Sequence, residues 1–377
     1  MNKVWMKMPD VLFFQEGPGV RNTQYTKEGV KLLNVSNLVD GKIDLSTSNR
    51  YISEEEAYGK YKHFLCDEGD FIVASSGIKV EYLDKKMGFV EKEMLPLCMN
   101  TSTIRFKVLD KEMLDIKYFM YYLKSEHYKN QVAFHITGSA QLNYGPSHLK
   151  KMVIPLIKIE KQHEIVKILD KISNAISNRY QELQLLDELV KARFVEMFGN
   201  PITNSKNLEA EKLKDVLILK AGDFTAASDI SIERTPTNPY PCYGGNGIRG
   251  FVAEYNQDGD YSLIGRQGAL SGNVQFARGR FKNTEHALLV KPKIEMDGMW
   301  LNQLLIHLDL KRYQTGAAQP GLSVKNLQEI PIILPPLEFQ KQFADFVREV
   351  DKSREIIQKK IDTYQELFDK LMQEYFG

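Results

Sequence analysis

The stretch IEKQHEIVKILDKISNAISNRYQELQLLDELVKARFVEMFG (Ile159 to Gly199) decides the fold, because it is used twice. Its counterpart, LEFQKQFADFVREVDKSREIIQKKIDTYQELFDKLMQEYFG (Leu337 to Gly377), aligns without a gap at a constant offset of 178. The match reaches upstream to TGSAQL (Thr137 to Leu142) over TGAAQP (Thr315 to Pro320), so each copy is 63 residues long. Within it, Glu160 and Gln162 fall on Glu338 and Gln340. Alternate steps of four and three from Ile165 reach Leu169, Ile172, Ile176, Arg179, Leu183, Leu186, Val190, Arg193 and Met197. The second copy gives Phe343, Val347, Val350, Arg354, Ile357, Ile361, Tyr364, Phe368, Leu371 and Tyr375. Only Arg179, Arg193 and Arg354 break the apolar run. So narrow a stripe, with a 3.5-residue period and charged flanks such as Lys167, Glu182, Lys359 and Asp362, is the seam of a coiled coil. Each helix is expected to run for about 39 residues, and Pro155, Pro335 and Pro336 punctuate the approaches.

Outside the repeat, the chain reads as short strands and turns, so the two stripes bury each other most simply. The first helix leads from one globular region to the next, and the second leaves that next region. For the stripes to meet, the second must run back, which makes the pair antiparallel and brings Gly377 near Met1. The β-type runs are Val30 to Val35, Phe71 to Ala74, Thr103 to Val108, Tyr261 to Ile264 and Ala287 to Val290. One helix is expected near Ile116 to Leu123 and one near Met299 to Leu308. The segments before each copy also echo one another, EGDFIVASSG (Glu68 to Gly77) against DGDYSLIGRQG (Asp258 to Gly268), and Asn100-Thr101 against Asn283-Thr284. The fold class is therefore α+β, with two mixed α/β domains, two long helices forming an antiparallel coiled coil, and a pseudo-two-fold internal repeat. The expected boundaries are 1–148 for the first domain, 149–199 for the first helical region, 200–326 for the second domain and 327–377 for the second helical region.

Fifty basic residues against forty-nine acidic ones leave a formal charge of +1, so any contact with a polyanion must use local patches. Hydrophobic content of 43% with 26% charged residues fits an ordered globular chain rather than a disordered one. Cys66, Cys98 and Cys242 are odd in number, widely spaced and without metal-ligand spacing, which fits a reducing cytosol. No stretch approaches the roughly 20 apolar residues needed to span a bilayer, and MNKVWMKMPD has no signal core. A cytoplasmic protein with no membrane partner is expected.

Three features that suggest an enzyme fail on context. GNGIRG (Gly245 to Gly250) satisfies GxGxxG, but FVAEY follows it and reads as a strand where a dinucleotide site needs a helix. Asn238-Pro239-Tyr240 resembles the NPPY motif of amino-methyltransferases without its second proline, and no cofactor-binding βαβ unit accompanies it. The seven histidines, His63, His127, His135, His148, His163, His286 and His307, form no HExxH and pair with no GxSxG serine. No catalytic residue, metal site or bound cofactor is expected in this chain.

Loops rich in Gly, Asn, Gln, Arg and Tyr suit another purpose, since amides and guanidinium groups reach base edges and smaller donors hold phosphates. The second region has two such loops, YGGNGIRG with Tyr243, Asn246 and Arg249, and IGRQGALSGN with Arg266, Gln267 and Asn273. The first has GPGVRNTQYTKEGVKLLNVSNL with Arg21, Asn22, Gln24, Tyr25 and Lys27, and SSGIK with Ser75, Ser76 and Lys79. Matching linkers with dissimilar loops make sense if two like scaffolds read different base sequences.

PCYGGNGIRG, LIGRQGALSGNV, NTEHAL, TGAAQPGLSVKNLQEIPIILPPLEFQKQF and GPGVRNTQYTKEGVKLLNVSNL resemble phrases recurrent in specificity subunits of Type I restriction-modification systems, over nearly the whole chain. The resemblance implies a DNA-recognition subunit without catalysis, each target-recognition domain reading one half of a bipartite site on double-stranded DNA. It also implies that the coiled coil sets the spacer and docks two methyltransferase subunits. Those subunits would use S-adenosylmethionine, and a motor and restriction subunit would join for cleavage. TGSAQLNYGPSHL departs from the pattern by lacking the Pro-Gly of QPGLS.

Overall fold

The computed structural model describes residues 3–136, 143–268, 270–316 and 321–377. TGSAQL, the last four residues of TGAAQP and the proline of QPGLS lie outside the described residues. The chain forms two compact units, Met1–Asn178 with Ile361–Gly377, and Arg179–Lys360.

The first unit is organised by a four-stranded antiparallel sheet in the order Leu12–Glu16, Thr103–Val108, Phe71–Ala74, Met87–Phe89. Phe71–Ala74 is buried along its whole length, and strand alternation sends its side chains to opposite faces. Phe71 and Val73 join one core with Phe106, Phe119 and Tyr118. Ile72 and Ala74 join another with Leu33 and Leu97. That second face is covered by a small sheet, Tyr51–Ile52, Val30–Leu33 and Leu97–Met99, whose last two strands pair in parallel. Two two-stranded ribbons, Val4–Lys7 with Val153–Leu156 and Leu38–Val39 with Lys42–Ile43, complete the unit's β-structure.

The second unit repeats this plan with different residues. Its main sheet runs Leu217–Ala221, Ala287–Pro292, Tyr261–Gly265, Val274–Ala277, also antiparallel throughout. Ile264, Leu288 and Val290 face one core, while Leu263, Ala287 and Leu289 face the other. Its small sheet pairs Tyr240–Gly244 with Gly247–Val252 and, in parallel, with Arg280–Asn283. The ribbon is Ala210–Lys212 with Pro331–Ile333. The internal repeat therefore covers the globular parts as well as the helices.

The two expected helices before the long segments are Ile116–Lys124 and Gly298–His307, capped by Asp115 and Asp297. Each cap carboxylate accepts two backbone amides of the first turn.

The long helices are Ile159–Phe198 and Leu337–Phe376, 40 residues each. In the first unit, Ile165 and Leu169 share a core with Phe368, Leu371 and Phe376. In the second, Leu186, Val190 and Phe194 share one with Phe343, Val347 and Val350. The head of each helix thus meets the tail of the other, which is antiparallel pairing. Lys3 donates to the Gly377 carbonyl at 3.2 Å, so the ends meet within the first unit, although Met1 itself is outside the described residues. The seam is buried at Ile165, Leu169, Tyr375, Val190, Phe343, Val347 and Val350, where a globular part also packs on it, and at Ile172 and Ile361. Ile176, Leu183, Leu186, Ile357, Tyr364, Phe368 and Leu371 are half-buried. The seam arginines are tied to carboxylates, Arg179 to Glu182, Arg193 to Glu196, and Arg354 to Asp187 and Asp351.

All three cysteines are free and buried. Burial pushes the thiols of Cys66 and Cys98 up to about 12, which keeps them protonated and unreactive. No helix among the described residues is long and apolar enough to cross a membrane.

Leu169 has no exposed surface, whereas Leu185, on the outer face of the same helix, is 61% exposed. Leu169→Ala is expected to destabilise the first unit by about 2 to 5 kcal/mol, and Leu185→Ala by no more than about 0.5 kcal/mol. Urea unfolding of the two variants checks this, and equal losses would deny the seam its role.

Candidate nucleic-acid interface

In the second unit, GNGIRG is the turn and second strand of a β-hairpin, Tyr240–Gly244 with Gly247–Val252. The helix a dinucleotide site would need is absent from this place. The loop after Tyr261–Gly265 lies against the hairpin turn so closely that a Cβ on Gly265 would stand 2.1 Å from the Gly245 carbonyl oxygen. Asn273 donates from Nδ2 to Oδ1 of Asn246 at 3.1 Å, joining the two loops. A shallow cleft between them is lined by Asn246, Arg249, Gln267, Leu270 and His286. Arg249 and Gln267 are exposed.

The other two candidates here are turned toward the fold. Tyr243 is half-buried, its ring edge-on to Phe281 at 5.4 Å, and burial raises its phenol pKa. Arg266 is also half-buried. Its amide donates to the His286 carbonyl at 3.0 Å, and its own carbonyl accepts from Leu322 at 2.7 Å. Its guanidinium reaches the Glu285 carbonyl at 3.5 Å.

In the first unit, Arg21 and Asn22 are exposed at a short 3₁₀ turn, and Lys27 and Lys79 are exposed beyond it. Lys79 is paired with Glu81 at 3.3 Å. The Gln24 amide is taken up by the fold, donating to Glu56 at 2.6 Å and to the Tyr61 hydroxyl at 3.0 Å while accepting from the Arg21 amide. Tyr25 is half-buried, and its hydroxyl accepts from Asn100 at 3.4 Å. Ser75 is fully buried, and its backbone bonds to Ser102 and Tyr144. Ser76 shares a 2.6 Å hydroxyl contact with Ser102. Gln24 and Ser75 therefore shape this surface from behind, and the groups that face outward are Arg21, Asn22, Lys27 and Lys79.

The two stretches of the first unit each touch the turn Asn100 to Ser102, and in the second unit the turn Asn283 to His286 does the same service. Asn100 and Asn283 are buried. The Asn100 amide donates to Asn34 at 2.8 Å and its backbone amide to Leu33 at 3.0 Å. Asn283 receives bonds from Asn256 and Gln257, and the amide of Thr284 beside it donates to the Tyr243 carbonyl. A glycine makes room for each turn: a Cβ on Gly17 or on Gly222 would meet the Asn100 or Asn283 carbonyl oxygen at 2.0 Å. The repeated asparagine, Asn100 in one unit and Asn283 in the other, is thus the buried anchor of both loop sets.

Sequence reasoning missed several outward groups. The Arg50 guanidinium lies over the Tyr25 ring at 5.4 Å, Lys31 over Tyr51 at 5.4 Å and Lys85 over Tyr82 at 5.8 Å. His286 lines the second-unit cleft. Lys85 and Tyr82 are local neighbours in one 3₁₀ segment, whereas Tyr25 and Tyr51 are brought to Arg50 and Lys31 by the fold. Among the described residues Arg21, Lys27, Arg50 and Arg249 make no ion pair, and no group of three or more His, Cys, Asp or Glu side chains is placed to hold a metal ion.

A family model described as the Type I restriction modification DNA specificity domain matches residues 23–188 and again 205–364. The Type I restriction enzyme EcoprrI specificity subunit of Escherichia coli is 34% identical over 253 residues, spanning 64% of this chain and 62% of that protein. The putative MjaX specificity subunit of Methanocaldococcus jannaschii is 23% identical over 92% of this chain and 86% of its own length. Among solved structures, the S subunit of a Type-I restriction-modification system from M. genitalium aligns with a TM-score of 0.62 at 19% identity, covering 100% of this chain and 96% of that one. That last likeness is one of fold.

The close approach at Gly17 separates two neighbouring glycines, since a Cβ on Gly19 would meet nothing within 4 Å. Gly17→Ala is expected to lower the stability of the first unit by about 1 to 3 kcal/mol through backbone displacement. Gly19→Ala should change it little. Thermal unfolding of the pair checks this, and an unperturbed Gly17→Ala protein would remove the Asn100 turn as an anchor.

Proposed function

The chain belongs to the Type I restriction modification DNA specificity domain family, and on that footing we propose that it reads a bipartite site on double-stranded DNA, one half with the loops of each unit. The observation that carries this reading is the convergence of two loops on one cleft, where Asn246, Arg249 and Gln267 stand together around a glycine-lined floor. Arginine reads guanine and asparagine or glutamine reads adenine by paired hydrogen bonds at base edges. Arg21, Lys27 and Arg50 on the first unit suit phosphate contacts, which position a protein without specifying sequence.

In this reading the chain supplies the address and other chains supply the chemistry. Two methyltransferase subunits that use S-adenosylmethionine dock on the coiled coil, and a motor and restriction subunit joins for cleavage. The coiled coil holds the two half-site readers at a fixed spacing. The complex works in the cytoplasm, where its DNA is, and this chain binds no cofactor of its own.

In a complex assembled with methyltransferase subunits, Arg249→Ala and Gln267→Ala are each expected to relax one half-site by about 1 to 3 kcal/mol. The other half-site should keep its sequence preference. Arg266→Ala should weaken the same half-site less selectively, because its guanidinium also steadies the Glu285 turn. Methylation-site mapping on a randomised library gives the readout. Uniform weakening on all sequences would make Arg249 and Gln267 phosphate contacts, and methylation by the chain freed of every methyltransferase would defeat the reading itself.

A further inference from the structure

We propose that Gln162 and Gln340 are positioning residues that fix the angle at which each globular part leaves its long helix, and so how strictly the protein measures the spacer between its half-sites. The inference rests on the bipartite-site reading above. It starts from the only polar identity in the repeated phrases KIEKQ and PLEFQ that the fold buries: Glu160 and Glu338 also match but are exposed, whereas Gln162 is fully buried and Gln340 is 4% exposed.

Each glutamine sits in the first turn of its long helix and bonds to two other segments. Gln162 accepts from the Asp115 amide at 3.0 Å through Oε1, and its Nε2 donates to the carbonyls of Met113 and Ile157, both at 2.8 Å. Gln340 accepts from the Asp297 amide at 3.0 Å and donates to the Pro335 carbonyl at 2.8 Å. Asp115 and Asp297 are the caps of the helices Ile116–Lys124 and Gly298–His307. One side-chain amide therefore couples the chain entering the long helix, the first turn of that helix and the cap of the helix packed beside it.

Further ties brace the same joint. His163 approaches the Asp115 carboxylate at 3.4 Å, and Asp170 of the long helix takes Lys117 at 2.8 Å and the Tyr121 hydroxyl at 2.7 Å. In the second unit Arg348 of the long helix reaches Asp297 at 3.2 Å. An apolar side chain would fill the volume but would tolerate rotation, whereas a buried amide with a fixed donor side and acceptor side is satisfied at one arrangement. The lever is sensitive: a tilt of about 10° carried over about 20 Å, the scale of such a domain, moves a recognition loop by about 3.5 Å, close to one base-pair rise.

The test uses the full chain assembled with its methyltransferase subunits and S-adenosylmethionine, acting on DNA in which two fixed half-sites are separated by spacers of every length. For Gln162→Met and Gln340→Met, the ratio of methylation at the preferred spacer to that one base pair longer or shorter is expected to fall about threefold to tenfold, the factor a lost hydrogen bond commands. Both half-site sequences should stay the same. A loss of stability alone would lower methylation at all spacers equally and leave the ratio unchanged, which would overturn the proposal. Arg348→Met removes an exposed brace and spares the buried amides, so it keeps the test open if a glutamine variant does not fold. A smaller fall in the ratio is expected there, and an unchanged ratio in that case also overturns the proposal. Absence of a bipartite site for the unaltered complex would instead defeat the function proposed above.

Discussion

Two narrow apolar stripes, each repeating every 3.5 residues, must be covered, and in both units the cover is the opposite end of the other helix. Tyr118 packs on Phe376 at 5.0 Å between ring centres, and Tyr121 on Phe368 at 6.2 Å. The core of the first unit is thus closed by the last residues of the chain, Ile361–Gly377. The second unit is closed the same way, Phe194 meeting Phe343 at 5.4 Å and Phe198 meeting Trp300 at 6.1 Å. The first unit owns no complete core in contiguous sequence, whereas the second draws its core from the single stretch Arg179–Lys360, with a long-helix end at each of its limits. The first unit is completed only when the chain comes back, and the second only when the two helix ends at its limits meet, which makes the antiparallel seam the constraint under everything else.

On that base, the main sheets act as partitions. Because successive side chains of Phe71–Ala74 and of Tyr261–Gly265 point to opposite faces, one strand feeds both the helix-side core and the core under the small sheet. The recognition loops spring from the small-sheet side, where the buried Asn100 and Asn283 turns hold them. Loop sequence is then free to vary so long as the turn, its partner glycine and the alternating strands persist. That accounts for two units with one topology and different outward residues.

The helices and the repeat were legible because periodicity is a local property. The seam residues read from the sequence are all buried or half-buried, and the strands Phe71–Ala74 and Thr103–Val108 have the limits their composition suggests. The run from Val30 stops at Leu33 instead of Val35, because the Asn34 side chain bonds back to the Leu32 carbonyl and starts a turn. The interface was only partly legible. Gln24 and Ser75 look like surface loop residues, yet their surroundings are set by Glu56, Tyr61 and Ser102, from elsewhere in the chain. Arg50 and Lys31 were invisible for the converse reason, since a cation without a local motif acquires meaning only beside the tyrosine the fold brings to it.

The near-neutral formal charge also changes meaning once the carboxylates are located. Along the long helices several cations are matched within one turn, as in Lys161 with Glu164, Arg193 with Glu196 and Lys352 with Glu349. Such pairs add little stability each, but each cancels its own charge at close range. Arg21, Lys27, Arg50 and Arg249 carry no ion-pair partner among the described residues, so at the loops their charges are not cancelled at contact distance. A screening length of about 8 Å at physiological salt makes that local imbalance, rather than the chain's total, what a phosphate backbone would meet. Overall neutrality and a polyanion-binding surface are therefore compatible in this chain, because cations without a close partner act over a shorter range than the total charge describes.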